Sequence, residues 1–323
     1  MKVRKVILAF LATWLSAGFS FAADKPAAIR LDYATYNPVS LLIKSKGWAE
    51  AEFAKEGIKV SWLLSQGSNR ALEFLNGNAV DFGSTAGAAA LISRSNGNPI
   101  YGVYLYSKPE WTALVTQKGS PIAKIADLKG KKVAATLGTD PYIFLLRALD
   151  TAGLKAQDIR IVSLQHGDGA AALVGKQVDA WAGLDPHMAR LELENDASLF
   201  YRNIDFNTFG LLNVRKDFAE RYPTYVEKVI ALYERGRAYA SDNQAELTAI
   251  LASEAKIKPE VAKLQLEQRT DLTVAVPGDD LKKSLEAASV ILVKGGQIRS
   301  NVDVDAIIAD FIRPKYAQAV VAK

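Results

Sequence analysis

Cysteine is absent from the 323-residue chain, and histidine and methionine occur only twice each. The lack of cysteine excludes a disulfide framework, a thiolate metal site and a lipid-modified cysteine near the N-terminus. The two histidines, His166 and His187, have no second histidine or carboxylate at the spacing of a metal-binding motif such as HExxH. We therefore expect neither a metal nor a cofactor.

Signatures of catalysis are missing as well. The chain contains no G-x-S-x-G nucleophile motif, no phosphate-binding P-loop and no dinucleotide-binding G-x-G-x-x-G. Because nothing in the sequence points to a reaction, we expect a protein that is not an enzyme and has no catalytic residues.

The N-terminal segment has the pattern of a secretory signal peptide, over residues 1–22. Lys2, Arg4 and Lys5 precede an apolar run too short for a membrane span, and Ser20 and Ala22 stand at −3 and −1 of a cleavage site. Cleavage leaves 37 basic against 35 acidic residues. The resulting net charge of +2 lacks the basic excess that is typical of nucleic-acid-binding proteins. We therefore expect a periplasmic monomer that binds no nucleic acid and is only peripheral to the inner membrane.

Strand-like and helix-like segments alternate through the first two thirds of the chain, separated by short glycine-containing turns. This order is typical of α/β folds with parallel sheets. The pattern restarts near residues 107–111, and a second set of units is complete near residue 207. We predict two doubly wound lobes joined by a two-segment hinge, with residues 23–109 and 208–323 in one lobe and residues 110–207 in the other. The helical segments after residue 224 are expected to cover the first lobe.

A short repeat occurs once in each predicted lobe. Leu75–Gly87 (LNGNAVDFGSTAG) and Leu173–Gly183 (LVGKQVDAWAG) share leucine, then glycine at +2, valine at +5 and aspartate at +6. The spacing predicts a helix ending in a left-handed glycine, a short strand and a turn into a new helix; a chance match of four residues is the alternative. If the repeat is real, the loops Ser84–Ala88 and Ala182–Pro186 face each other across a cleft, at the strand ends where open α/β sheets bind ligands.

The loops expected to face this cleft begin helices and are rich in small or hydroxylic residues. Such helix starts direct backbone N–H groups and the positive end of the helix dipole at the cleft. They predict a binding site without charged side chains, suited to a sulfonate, phosphate or carboxylate group. The alternative is that these residues only cap helices and bind no ligand. These loops are Thr35–Pro38, Ser65–Ser68, Ser84–Ala88, Leu137–Pro141 and Gly183–Pro186.

Five polar or charged residues could have either a structural role or a role in ligand binding. Asp140 and Asp185 both precede proline, which predicts a helix N-cap, but either would favour a solute with an amine if it faced the ligand. His166 follows a strand end and could line the cleft, and His187 falls in the first turn of a helix; a structural role is the simpler interpretation of both. Arg269 follows a helix, where a surface salt bridge would explain it.

Several aromatic residues fall at predicted loops or lobe crossings. They could form walls around an apolar tail, although each could equally belong to the core. Tyr36 and Trp181 are the better candidates for the cleft wall. The set comprises Tyr36, Trp111, Tyr142, Trp181 and Phe206.

Segments spread over nearly the whole chain carry a family resemblance. They are IADLKGKKVA at Ile125–Ala134, VDAW at Val178–Trp181 with the following Asp185 and Pro186, VRKDFA at Val214–Ala219, and the segments Gly77–Gly83 and Asp303–Ile307. The first is common to many binding proteins, whereas VDAW with its Asp-Pro and VRKDFA are more particular. With these motifs the chain resembles the solute-binding proteins of ABC importers for aliphatic sulfonates, taurine and nitrate, and most of all those for aliphatic sulfonates.

The resemblance implies a type II periplasmic binding protein fold, whose lobes close on a solute and present it to an ABC permease and its ATPase. It implies that Ser84-Thr85 and Gly138-Thr139 hold the sulfonate head and that Trp181 and Asp185 contribute from the opposing lobe. Gly83–Ala88 and Asp140 depart from the pattern of relatives, so taurine, nitrate or another small anion or zwitterion stays open as the solute. The predicted ligand-binding residues are Tyr36, Asn37, Gln66, Gly67, Ser84, Thr85, Gly138, Thr139, Asp140, Trp181, Asp185 and Arg269.

Two other kinds of function would use the same fold, that of an enzyme and that of a sensor's receptor subunit. A pyrimidine synthase of this fold depends on active-site cysteines, which the chain lacks, and a chorismate-type dehydratase would be cytoplasmic, which disagrees with the predicted signal peptide. A receptor subunit of a sensor would differ from a transport receptor only in its partner.

Overall fold

The structure is a computed structural model and describes residues 25–321 of the chain. The predicted signal peptide lies outside the described residues. The strands are β1 (Ala28–Tyr33), β2 (Lys59–Leu64), β3 (Phe82–Ala86), β4 (Ile100–Pro109), β5 (Thr112–Thr116), β6 (Lys132–Ala135), β7 (Arg160–Ser163), β8 (Ala180–Leu184), β9 (Ser198–Tyr201), β10 (Gly210–Arg215) and β11 (Thr270–Asp271).

Helices cover both sheets. They are α1 (Pro38–Ser45), α2 (Trp48–Ala54), α3 (Ser68–Asn76), α4 (Gly87–Ser95), α5 (Asp140–Thr151), α6 (His166–Val174), α7 (His187–Asn195), α8 (Lys216–Arg221), α9 (Pro223–Asp242), α10 (Gln244–Ala255), α11 (Pro259–Arg269), α12 (Asp279–Lys294), α13 (Val304–Phe311) and α14 (Pro314–Val321). Among the described helices, none combines the length and the apolar character needed to span a membrane.

Two sheets divide the structure into two lobes. The first sheet has the strand order β11-β4-β10-β3-β1-β2, and the second has the order β7-β6-β8-β5-β9. The chain passes from the first sheet to the second between β4 and β5 and returns between β9 and β10. We call residues 110–111 and 202–209 the crossing segments.

Both sheets are mixed, whereas the alternation of strands and helices predicted parallel sheets. β1 pairs in parallel with β2 and β3, and β6 with β7 and β8, as predicted. However, β10 runs antiparallel to β3 and β4, and β5 runs antiparallel to β8 and β9. β10 and β5 are the strands that follow the crossing segments, and they enter their sheet from the other lobe without a helical crossover. The two-residue strand β11 is also antiparallel, to β4.

The first lobe has one large core that extends into the C-terminal helices. Val229 and Tyr233 of α9, Leu285 of α12 and Phe311 of α13 lie fully buried in the same cluster as Phe82 of β3. Helices α1 and α2 are separate because Gly47 adopts the left-handed conformation (φ +62°) between them.

The repeat is a structural repeat. In each copy the aspartate follows the helix and accepts a backbone N–H from the first half of the adjacent parallel strand: Asp81 accepts from Arg30 N at 2.9 Å and Asp179 from Lys132 N at 2.8 Å. One detail of the prediction is wrong. The left-handed residue is not the glycine but the one after it, Asn78 in the first copy (φ +59°) and Lys176 in the second (φ +58°).

Candidate functional site

The two lobes touch each other along the cleft between the sheets. They enclose a cavity of about 10 Å³, which is the room that one water molecule needs. The rings of Tyr36 and Trp111 meet edge to face in its wall, with centroids 6.0 Å apart. The residues that line the cavity are Tyr36, Ser68, Trp111, Thr139, Asp140, Pro141, His166 and Leu184.

Three helices begin at this cavity. Ser68 opens α3 in the first lobe, and Asp140 and His166 open α5 and α6 in the second lobe. The first backbone N–H groups of a helix have no partner within it, and the N-terminus carries the positive end of the helix dipole. These three helix N-termini therefore converge at the cavity, and none of the residues that line it carries a positively charged side chain at neutral pH.

The first loop after the repeat is not where this site lies. Strand β3 continues through Ala86, so Ser84 and Thr85 are fully buried strand residues and not the start of a helix. The helix that follows, α4, begins at Gly87, and its first N–H groups are already bonded to the second crossing segment. Gly87 N donates to the carbonyl of Phe209 at 2.9 Å, and Ala88 N to Thr208 Oγ1 at 3.2 Å.

The buried carboxylate of Asp32 accepts the hydrogen bonds that Ser84 donates. Both the N–H and the hydroxyl of Ser84 donate to Asp32, at 2.9 and 2.8 Å. Asn37 Nδ2 donates to the hydroxyl oxygen of Ser84 at 2.8 Å, and the Tyr36 hydroxyl donates to the Ser84 carbonyl at 3.0 Å. Burial raises the pKa of Asp32 to about 6, against the hydrogen bonds from Ser84, which lower it. These four residues therefore form one buried hydrogen-bond network.

Asp32 was not singled out from the sequence. Its signal was a lone carboxylate in the strand Ala28–Tyr33, where a buried charge is unfavourable without a partner. The partner, Ser84, is 52 residues away and becomes visible only when β1 and β3 are placed side by side.

Asp140 is not a helix cap, contrary to the prediction. The residue before α5 is Thr139, and the Asp140 carboxylate instead bonds the crossing segments. One oxygen, Oδ2, accepts from Trp111 Nε1 at 2.9 Å and from Thr208 N at 2.8 Å, and the other, Oδ1, accepts from Thr208 Oγ1 at 2.7 Å. Burial raises the pKa of Asp140, while these hydrogen bonds act in the opposite direction. Asp140 lines the cavity, but its carboxylate already has three donors.

Asp185 combines the predicted role with an unexpected one. Its Oδ1 accepts the backbone N–H of Ala189 at 2.9 Å in the first turn of α7, as a cap would. The same carboxylate lies 3.1 Å from Nη1 of Arg269, which belongs to α11 of the first lobe. Burial raises the pKa of Asp185 to about 6, and Arg269 opposes this rise.

The sequence predicted a surface salt bridge for Arg269, but the arginine end of its salt bridges is buried. Only 2% of its side chain is exposed, and it also binds Glu192 of α7 through Nη2. Because Arg269 comes from one lobe and its two partners from the other, this ion pair joins the lobes. Lys258, the residue before α11, lies 3.2 Å from Glu194 of α7, but Lys258 is largely exposed.

The remaining predicted site residues are scattered. Trp181 is fully buried in the core of the second lobe, with its indole against Gly169, and does not line the cavity. Gln66 is exposed, whereas Gly67 next to it is buried. Gly138 has a left-handed backbone (φ +73°), which only glycine adopts without strain, just before the start of α5.

Gly67 lies close to the other lobe. A Cβ atom at this position would lie 3.0 Å from Nε2 of His166 in the other lobe and 2.8 Å from Oδ1 of Asn69. The sequence treated His166 mainly as a structural residue and did not single out Asn69. Within residues 25–321 no group of histidine and carboxylate side chains is arranged to hold a metal ion.

Comparison with known proteins identifies relatives of similar length. A family model described as NMT1/THI5 like matches residues 41–247. A candidate aliphatic sulfonates-binding protein of Escherichia coli strain K12 is 30% identical over 276 residues, which is 84% of this chain and 86% of the relative.

Two solved structures have the same fold. The alkanesulfonate-binding protein SsuA from Xanthomonas axonopodis pv. citri, bound to MOPS, superimposes with a TM-score of 0.82 over 90% of this chain and 99% of that one, at 24% identity. The periplasmic aliphatic sulphonate binding protein SsuA from Escherichia coli superimposes with a TM-score of 0.75 over 87% and 91%, at 26% identity.

Proposed function

Because this chain belongs to the NMT1/THI5-like family of periplasmic binding proteins, we propose that it binds a small alkyl sulfonate in the periplasm and delivers it to an ABC permease. The observation that carries this proposal is the convergence of α3, α5 and α6 at the cavity between the lobes. Three helix N-termini supply N–H groups and positive dipole ends to a sulfonate head. Relatives named for sulfonate binding support the same class of solute.

The solute enters through a movement of the lobes. We propose that residues 110–207 move against residues 23–109 and 208–323, because a cavity of about 10 Å³ is smaller than any alkyl sulfonate. Binding then stabilises the closed arrangement by the difference between the affinities of the closed and the open form. The closed form is the one that the permease and its ATPase partner recognise.

Titration of residues 23–323 with ethanesulfonate, propane-1-sulfonate and MOPS in a calorimeter tests the solute class. We expect at least one sulfonate to bind with a dissociation constant in the micromolar range or below, and to be recovered unchanged after incubation. Propionate and propan-1-ol are the controls, because they keep the alkyl chain and replace the sulfonate head. If none of the three sulfonates binds, the proposed solute class is wrong.

Substitution Gly67→Ala is expected to weaken solute binding by about 5- to 30-fold. The added Cβ would lie 3.0 Å from His166 Nε2 of the other lobe when the lobes are closed, and overpacking of this kind costs about 1–2 kcal/mol. Its contact with Asn69 Oδ1, at 2.8 Å, is within one lobe and is present in the open and the closed form alike. The backbone of Gly67 is extended (φ 166°), so alanine is tolerated in the open form. Calorimetric titration measures the dissociation constant.

The matched control is Gly278→Ala, because the nearest atom to a Cβ at that position is 3.9 Å away. This variant is expected to bind like the unmodified protein. If both variants bind equally well, the contact at Gly67 does not limit closure of the lobes.

A further inference from the structure

The tautomer of His166 follows from its neighbours. The hydroxyl of Thr136 donates its one hydrogen to the carbonyl of Leu164, at 2.7 Å. The same hydroxyl oxygen lies 3.1 Å from His166 Nδ1, so it has only a lone pair to offer there. Nδ1 therefore carries the hydrogen and donates it to Thr136. In the neutral ring, Nε2 is then a hydrogen-bond acceptor.

This acceptor has no donor among residues 25–321. His166 is 2% exposed and lines the cavity, yet no protein group lies within hydrogen-bonding distance of Nε2. Oδ1 of Asn69 is also a buried oxygen that the described residues leave without a partner. Both atoms lie within 3.0 Å of the point where a Cβ of Gly67 would stand, so two acceptors from opposite lobes face the same place.

Charge does not supply the missing partner. Burial, with a smaller contribution from His187, lowers the pKa of His166 to about 3, so the ring stays neutral at physiological pH. Arg269, a buried cation between the lobes, is already bound to Asp185 and Glu192. An acceptor that is buried without a donor is unfavourable by the full desolvation penalty, and a donor on the solute would remove it.

We propose that His166 Nε2 determines specificity by accepting a hydrogen bond from an N–H or O–H group on the bound solute. This inference rests on the proposed function: the helix N-termini hold the sulfonate, and His166, aided by Asn69, selects sulfonates that also carry an ammonium or a hydroxyl group. A site built to hydrogen-bond such a group rejects the analogue that lacks it, because its own polar atom stays unpaired.

Three probes of similar size test this selection at pH 7.5: 2-aminoethanesulfonate, 2-hydroxyethanesulfonate and propane-1-sulfonate. The last replaces the donor with a methyl group. We expect at least one of the first two to bind about tenfold or more tightly than propane-1-sulfonate, and the difference between those two tells an ammonium from a hydroxyl. In His166→Phe the preference is expected to fall below about threefold, and His166→Gln, which keeps an acceptor oxygen, is expected to retain part of it.

His187→Gln is the control, because His187 is a half-buried, neutral histidine that does not line the cavity. It is expected to keep the full preference. If all three sulfonates bind to the unmodified protein with equal affinity, a water molecule suffices for Nε2 and the inference is wrong while the proposed function stands. If none of them binds, both are wrong. Equal preference in the unmodified protein and in both His166 variants also overturns the inference.

Discussion

Substitution Arg269→Met is expected to lower the free energy of unfolding by about 3–5 kcal/mol, since it leaves the buried carboxylate of Asp185 without its counter-ion. Methionine occupies a similar volume, so the loss reflects charge and not packing. Urea denaturation followed by circular dichroism measures the effect.

The loss should depend on pH in a defined direction. Asp185 already has a folded-state pKa of about 6, above its ordinary value of 3.8, and removal of Arg269 takes away the interaction that lowers it. A group with a raised folded-state pKa contributes stability at low pH and loses it as the pH rises through that pKa. The difference between Arg269→Met and the unmodified protein is therefore expected to be larger at pH 8 than at pH 5.

Two further variants separate this ion pair from a general effect of charge. Adding Asp185→Asn to Arg269→Met removes the uncompensated charge while keeping an oxygen for Ala189 N, and should restore at least half of the lost stability. Lys258→Met removes an exposed cation between the same two helices and is expected to lower stability by less than about 1 kcal/mol. An equal loss in Lys258→Met and Arg269→Met would contradict the assignment.

Substitution Asp140→Ala is expected to lower the free energy of unfolding by about 2–4 kcal/mol. It leaves three donors of the crossing segments, Trp111 Nε1 and the N–H and hydroxyl of Thr208, without their acceptor in a buried place. Because these donors lie where the chain passes between the lobes, the indole of Trp111 should become more mobile. Urea denaturation gives the stability, and the indole N–H resonance of Trp111 in a ¹⁵N NMR spectrum reports the ring.

Asparagine at the same position discriminates between hydrogen bonding and charge. Its oxygen can accept from Trp111 and Thr208 N, and its amide can donate to Thr208 Oγ1, so Asp140→Asn should lose less than half as much as Asp140→Ala. Asp150→Ala, on the same helix, removes an exposed carboxylate paired with Lys294 and is expected to cost less than about 1 kcal/mol. Equal losses in Asp140→Ala and Asp150→Ala would show that the contacts to the crossing segments do not hold the lobes.

Much of the architecture could be predicted from local patterns. The segments after residue 224 are helical as expected, with apolar residues of α9, α12 and α13 buried in the core of the first lobe, and the repeat correctly indicated equivalent units in the two lobes. The segments that resemble sulfonate-binding proteins indicated the family that the comparisons show. These features depend on residues close together in the sequence, whose spacing decides which face is apolar and where a helix can start.

The cleft itself could be predicted only in part. Tyr36, Thr139 and Asp140 do line the cavity, as expected of residues at the carboxyl ends of strands. Ser84 and Thr85 have the same local pattern as a helix start, but strand β3 continues through Ala86 and buries them. Their predicted contact with the solute stays a prediction, although their hydrogen-bonding groups already have protein partners.

The sequence by itself determined the α/β class, the two repeated units and the family, because each of these is encoded in short-range spacing and in motifs. Only the tertiary structure decided which helix starts meet at the cavity, that Arg269 binds Asp185 84 residues away, and that Thr136 leaves the lone pair of His166 Nε2 facing the other lobe. The reason is that the packing of distant segments, and not the neighbours in the chain, decides which partner a buried polar group finds and whether it finds one.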